Sequence, residues 1–332
     1  MTSVRGRAWR DGVRVADDFP LDDLDAWLAD PQALVWLDLC QPEPDVLAHL
    51  AAELCLDPRA VEDAVAPGER PKATRHPTHT FVIAYSAELI PEPGQDVPSL
   101  MTSRVAAFVM RNGLITVRRG DHMDMDAVVR RWESDPDLLR LGVGALLHGL
   151  LDTIVDQHFE TIQTIDDALE DMEDLLFDDK VPTGSIQRKV YSLRKDLVQL
   201  RRIVLPMREV VASVMRHRTE VVHPTSRELD GWFDDLYDHV LRASEWTESL
   251  RDMVTSLFET NLSLQDARLN EVMKKLAAWA AIIAVPTAVT GWFGQNIPYP
   301  GFSEVSGLWQ SATLILVGSL GLYLLFRRVD WI

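Results

Sequence analysis

The chain has 332 residues and a formal charge of −18 at pH 7, room for a soluble domain of ordinary size and more. That acidic balance argues against nucleic acid as a partner, because phosphate binding needs a basic surface. Its two cysteines, Cys40 and Cys55, show neither metal-ligand spacing nor a disulfide framework, and MTSVRGRAWRDGVRVADD has no apolar core of a secretory signal.

Residues 1 to about 32 are polar and acidic with scattered tryptophans, and they predict no defined element. Ala33 to Leu39 (ALVWLDL) reads as a buried strand, Pro42 to Cys55 as a short helix, and Asp57-Pro58 as the start of another, PRAVEDAV. After a loop from Gly68 to Pro77, a strand is expected over Thr80 to Leu89. Two more, Ser103 to Met110 and Leu114 to Arg118, are joined by the hairpin signal Asn112-Gly113. Residues 1–125 thus predict a mixed α/β domain, and the chain as a whole an α+β protein.

From 126 to 225 the pattern turns helical. Asp126 to Ser134 and Leu138 to Phe177 carry apolar residues three and four apart. The second of these ends acidic, with Asp166, Asp167, Glu170, Asp171, Glu173, Asp174, Asp178 and Asp179. The next helix, Ser185 to about His217, is basic. These two predict either an antiparallel hairpin of opposite charge or simply two solvated faces.

A single helix is expected from about Ser226 to Phe293, with its stalk over 226–275. At about 1.5 Å per residue it would be roughly 100 Å long. Leu229, Phe233, Leu236, Val240, Ala243, Thr247, Leu250, Val254, Leu257, Asn261 and Leu264 alternate steps of four and three. That seam predicts packing against neighbouring helices and, for so long a stalk, an oligomer. A second stripe holds Asp252, Glu259, Asp266, Met273, Ala280 and Thr287, with Asn270, Ala277, Ala284 and Gly291 between them. In a ring of parallel copies it would line a channel whose acidic rings concentrate cations. Alternatively, the acids are only the solvent face of the stalk. Small residues continuing the stripe favour the channel, since a lipid-facing stripe is more often Leu or Val.

Two uncharged runs, 276–293 and 307–326, are long enough to cross a hydrocarbon core. Lys274 and Lys275 precede the first, Arg327 and Arg328 follow the second, and the connection 294–306 has no Lys or Arg. The positive-inside rule then places both termini and the tail 327–332 in the cytoplasm, with the connection outside, in a cytoplasmic membrane. Trp279, Trp292, Tyr299 and Trp309 sit where interfacial aromatic residues belong. No phosphate loop or nucleophile elbow is found, so no enzyme activity is expected. Neither run holds an ionisable residue, which argues against proton coupling.

NLSLQDARLNEVMKKL, then Pro286-Thr287, then GWFGQN, resemble the signature of CorA-type divalent-cation transporters. VWLDL, LDPRAVEDAV, RPKATRH and FVMRNGLITVR resemble the family's cytoplasmic domain, and LLHGLLDTIVD and LVQLRRIVLPMREV its following helices. The resemblance covers roughly residues 30 to 332. It implies a funnel-shaped homopentamer in a lipid bilayer, with the first membrane helix lining the pore and the second outside it. It also implies pore positions at Asn270, Met273, Leu276, Thr287, Gly291 and Asn296, with Glu259 and Asp266 in the stalk. Leu276 lies one residue off the heptad stripe.

The family's Gly-Met-Asn motif reads Gly294-Gln295-Asn296 here, so the middle residue differs. Asn296 amide oxygens can hold the waters of a hydrated magnesium ion without stripping them, and Gly294 would permit a tight turn. Magnesium influx is the expected function, with no cofactor other than Mg2+ itself as cargo and regulator. A zinc, cobalt or nickel transporter of ZntB type is the alternative, and a membrane-anchored sensor or scaffold is the rival of another class. Regulatory carboxylates between subunits are expected among Asp171, Asp174, Asp252 and Glu259. His76 and His79, or His217 and His223, could bind a metal, but core or surface roles are the expectation.

Overall fold

A computed structural model describes residues 3–91, 98–176, 183–220, 228–295 and 297–332. They form two compact units, Met1–Thr255 and Ser256–Ile332.

The first unit is built on a seven-stranded sheet: β1 (Ser3–Arg10), β2 (Val13–Asp17), β3 (Leu34–Cys40), β4 (Lys72–Arg75), β5 (Thr80–Ile90), β6 (Ser99–Val109) and β7 (Gly113–Arg118). The order is β2-β1-β3-β7-β6-β5-β4. Among these strands only β3 and β7 pair in parallel; every other pairing is antiparallel. The stretch that predicted no element therefore forms an edge hairpin. Asp11 (φ 51) and Gly12 (φ 78) both occupy the left-handed region at its turn, which is what a tight hairpin of matching twist demands.

β3 is buried along its whole length because helices cover both faces of the sheet. Val35, Leu37 and Leu39 point to one core, with Phe81, Phe108 and Ile115. Against them pack α1 (Leu24–Ala29), α2 (Pro44–Glu53) and α3 (Pro58–Val65). The Asp57 side chain caps α3, accepting from the Arg59 and Ala60 amides at 2.9 and 3.3 Å. At the other end of α3, Arg104 donates to the Ala64 and Ala66 carbonyls.

Leu34 and Trp36 face the opposite core, formed with α4 (Met125–Ser134), α5 (Pro136–Leu139), α6 (Val143–Leu176) and, after α7 (Thr183–Val204), which contacts β5 and β6, with α8 (Met207–Glu220) and α9 (Asp230–Phe293). Trp132 of α4 lies edge-on to Trp9 and Trp36 with ring centroids 5.9 and 5.2 Å away. It fits because α6 carries Gly149 there, where an added Cβ would come within 2.6 Å of the indole. β4 pairs β5 only over Thr80–Ile83. Beyond it, His158 and Thr161 of α6 donate to the Tyr85 and Ala87 carbonyls at 2.7 and 2.9 Å, satisfying the open edge.

Two predicted helices are each divided. Leu138 to Phe177 is interrupted at Gly142 (φ +89), and Ser185 to His217 at Leu205-Pro206, where proline removes a helical donor. α6 and α7 are in contact, but among the described residues no ion pair joins the acids of α6 to the bases of α7. Most of these charges face solvent, though Asp166 accepts from Trp246 Nε1 at 3.2 Å and Arg201 pairs with Glu248 at 2.8 Å; Asp178 and Asp179 lie outside the described residues.

α9 spans the predicted single helix. Its seam from Leu229 to Val254 is buried, and Leu229, Phe233, Leu236 and Val240 enter the core formed with α6 and α8. The chain's own helices thus cover this part of the seam. The heptad pattern there reports intramolecular packing and does not by itself require another copy.

Candidate functional site

The second unit contains the end of α9, the connection, and α10 (Val305–Arg328). α9 and α10 are both long and apolar enough to cross a membrane. They pack as an antiparallel pair. Gly318 of α10 lies against Val285 of α9, where an added Cβ would be 2.9 Å from Cγ1, and Trp279 meets Tyr323 at 6.5 Å. Lys275 pairs with Glu271 one turn earlier at 2.7 Å, and Arg327 and Arg328 close the last turn of α10.

Burial along α9 separates two faces. Ala278, Ala281, Ile282, Val285, Pro286 and Val289 are buried or half-buried. Asn270, Met273, Ala280, Ala284, Thr287 and Gly291 are exposed. With about 100° per residue, the second set lies on the side of the helix opposite the first. The stripe singled out from the sequence therefore lies within the side that α10 leaves uncovered, which also exposes Trp279 and Ile283. Leu276, 70% exposed, sits at the margin of this face, one residue off the stripe. Earlier in α9, Asp252, Glu259 and Asp266 are exposed too.

Pro286 has no amide hydrogen, so the helical ladder lacks one bond inside the span. Nearby hydroxyls turn to backbone carbonyls: Thr287 donates to Ile283 O at 3.2 Å and Thr290 to Pro286 O at 2.8 Å. Each hydroxyl proton is used internally, and the oxygen of Thr287 keeps lone pairs on the uncovered face.

At the end of α9, Gly294 donates to Thr290 O at 2.9 Å and Gln295 to Trp292 O at 3.3 Å. Gly294 does not occupy the left-handed region expected of a turn glycine; that conformation belongs to Gly301 (φ +91). A Cβ on Gly294 would make a tight contact, 3.0 Å from Thr290 O. Gln295 is exposed, and Asn296 lies outside the described residues. Tyr299 anchors the connection between Phe293 and Phe302, with ring centroids 5.0 and 5.4 Å away.

The regulatory candidates are spread over two helices. Asp171 and Asp174 are exposed on α6, and Asp252 is paired with Arg251 at 2.7 Å. Among the described residues, no group of three or more His, Cys, Asp or Glu side chains is placed to hold a metal within one chain. His76 contacts Asp57 at 3.3 Å and stacks on His79 at 4.8 Å. His79 is a core residue beside Phe108, and burial pushes its pKa down to about 4. His217 lies 3.5 Å from the Ser213 hydroxyl, and His223 falls outside the described residues.

A profile of the family described as "CorA-like Mg2+ transporter protein" matches residues 31–328. The "Cobalt/magnesium transport protein CorA" of Methanocaldococcus jannaschii is 26% identical over 309 residues, covering 90% of this chain and 92% of that protein. The "Zinc transport protein ZntB" of Yersinia enterocolitica is 25% identical over 300 residues, covering 90% of this chain and 88% of that one. Among solved structures, the complete CorA magnesium transporter from M. jannaschii superposes with a TM-score of 0.74 at 22% identity, over 99% of this chain and 98% of its own.

Proposed function

The chain belongs to the CorA-like Mg2+ transporter family, and from that premise we infer that it carries Mg2+ through a membrane pore built from several copies. It is a membrane-embedded divalent-cation transporter and not an enzyme. We assign the conduction path to the uncovered stripe of α9, in a homopentamer of the cytoplasmic membrane with both termini inside. The observation that carries this reading is the distribution of residue types on one helix. The face against α10 is apolar, while the uncovered side presents Asn270, Met273, Ala280, Ala284, Thr287 and Gly291 as one stripe, flanked by exposed Leu276, Trp279 and Ile283.

Those residues suit a hydrated divalent ion. Small side chains leave room for its waters, and Asn270 and Thr287 offer oxygens that accept from them. None of these residues is charged, so the ion is not trapped. Gly294-Gln295-Asn296 forms the outer selection point in this proposal. A carboxamide replaces the family's thioether at Gln295, adding a second ring of oxygens that meets the ion through water. Entry down a membrane potential releases about 4.6 kcal/mol per 100 mV for a divalent ion, so no nucleotide need be hydrolysed. Exposed carboxylates at Asp171, Asp174 and Glu259 are open to a neighbouring copy and serve as the bridging sites that close the pore when Mg2+ is abundant; Asp252, already paired, ranks behind them.

The test is ion flux into proteoliposomes containing the purified full chain, with Mg2+ and Zn2+ compared and with Asn296→Ala and Thr287→Leu alongside. Potential-driven Mg2+ entry lost in both variants supports the assignment. Zn2+ entry without Mg2+ would move the chain to the zinc-transporting branch, to which one of its relatives belongs by name. No flux of either ion through well-folded assemblies would favour a membrane-anchored sensor. For regulation, Mg2+ should protect the wild type from limited proteolysis, and joint neutralisation of Asp171, Asp174 and Glu259 should remove that protection; undiminished protection would exclude these acids.

A further inference from the structure

A cleft of about 730 Å³ opens in the first unit, between the ends of the sheet and the start of α6. We propose that it binds a small organic phosphate of nucleotide size. The volume lies within the range of small-molecule sites, about 300–1,000 Å³. Its inner wall is apolar, with Leu34, Leu139 and Leu147 buried there. Around it stand Arg75, Arg111, Arg140 and His217, while Asp11 is the only carboxylate among the described residues of the lining. In a chain of net charge −18, this local reversal of sign gives an anion a place to bind that most of the surface denies it.

Among the described residues, Arg75 and Arg111 are not neutralised internally, whereas Arg140 is paired with Asp137. Arg140 is held in position, donating from Nε to Asp11 O at 3.1 Å and from Nη1 to Asp137 Oδ1 at 2.6 Å. Arg75 donates to Thr80 Oγ1 at 3.2 Å. Among the described residues, no carboxylate pairs with Arg75 or Arg111, so their guanidinium groups keep free donors for a phosphate. Backbone geometry adds to this. The 34-residue α6 begins at the cleft, Val143 and Gly144 line it, and no acid occupies the helix's first turn. Unpaired amides and the dipole at such an end favour an anion. Gly142 carries no side chain to block the approach, and the space a Cβ would fill is open. The apolar wall distinguishes an organic ligand from inorganic phosphate, which would leave that wall in contact with water.

Binding is tested by calorimetry on the full chain in detergent, with EDTA present so that metal binding adds no heat. The probes are ADP, glucose 6-phosphate and inorganic phosphate. Arg75 and Arg111 are exposed, so Arg75→Glu and Arg111→Glu should fold; Arg75→Gln and Arg111→Gln repeat the test without charge reversal. Arg59→Glu, exposed on α3 and outside the cleft, controls for net charge. ADP or the sugar phosphate should bind at least tenfold more tightly than inorganic phosphate. Either Glu variant should weaken that binding about tenfold or more, with Arg59→Glu unchanged. The two organic probes separate a base-containing ligand from a base-free one, and binding of either supports the site. No binding of either at millimolar concentration would overturn the proposal. So would equal binding of inorganic phosphate, or an equal loss in the control. The outcome is independent of ion flux.

Discussion

Asp38 and Arg118 form a buried ion pair on neighbouring parallel strands, 0% and 2% exposed, and removing one partner should be among the most damaging single changes in the first unit. Arg118 donates from Nε to both carboxylate oxygens at 3.1 and 3.2 Å and from Nη2 to Oδ2 at 2.7 Å. Thr116 donates to Asp38 Oδ1 at 2.7 Å and accepts from Trp36 Nε1 at 3.1 Å. Asp38→Leu leaves a buried guanidinium with only solvent-exposed Asp121 and two backbone carbonyls as partners. The expected cost is about 3–5 kcal/mol, the range for an orphaned buried charge. In a domain of this size each kcal/mol shifts the melting temperature by about 2–4 °C, so a drop of roughly 6–20 °C is expected. Thermal melts of the full chain in detergent measure it. Asp38→Leu/Arg118→Leu should recover most of the loss, because the pair's desolvation cost disappears with both charges. A drop under about 3 °C for the single variant, or additive losses in the double, would refute the reasoning.

Stability should also fall with acid between pH 6.5 and 4. Burial holds the pKa of His79 and of His158 down to about 4, against about 6.5 in an unfolded chain. Above pH 6.5 neither state binds the protons. Below it the unfolded chain takes them up first, and the loss levels off below pH 4. At pH 5 this amounts to about 2 kcal/mol per residue. Melts at pH 7.5 and 5 should show a smaller difference in His158→Gln than in the wild type, and an unchanged difference would count against it. In the second unit, Gly318→Leu should disturb the α9–α10 pair by about 1–3 kcal/mol through overpacking. Gly321→Leu, where a Cβ meets nothing within 4 Å, should be milder, and equal melting of the two would contradict the contact. Asp57→Ala should cost about 1 kcal/mol through loss of the α3 cap, visible as a small fall in melting temperature; no change would show the cap to be replaced by water.

Long-period features were legible in the sequence because each rests on many residues of one helix. The seam from Leu229 to Val254 and the two apolar spans are patterns that no single substitution obscures. Short-range signals were easier to pass over. Asp11-Gly12 is a hairpin dipeptide as clear as Asn112-Gly113, yet it sits among charged residues that mask the alternation of β1. Pro206 and Gly142 mark helix breaks that an apolar periodicity bridges without notice. The Asp38–Arg118 pair and the cationic cleft were not legible at all. Asp38 and Arg118 are 80 residues apart and meet only because β3 pairs with β7, and the cleft exists only because α6 starts beside the sheet.

The uncovered stripe of α9 carries more weight than its exposure alone suggests. In lipid, helices have no hydrophobic drive to associate, so a face of Ala280, Ala284, Thr287 and Gly291 gains little by facing acyl chains. Small residues gain contact energy only where another backbone approaches closely, or they make room where water and ions pass. Both uses need further copies of α9, because α10 already occupies the opposite face. The seam in the first unit cannot supply that argument, since the chain's own helices cover it. Self-association is thus better argued from the membrane span than from the heptads. Thr287 separates the two uses: a bulky residue at a packed interface disrupts assembly, whereas one facing a water-filled path leaves the assembly intact and stops the ion.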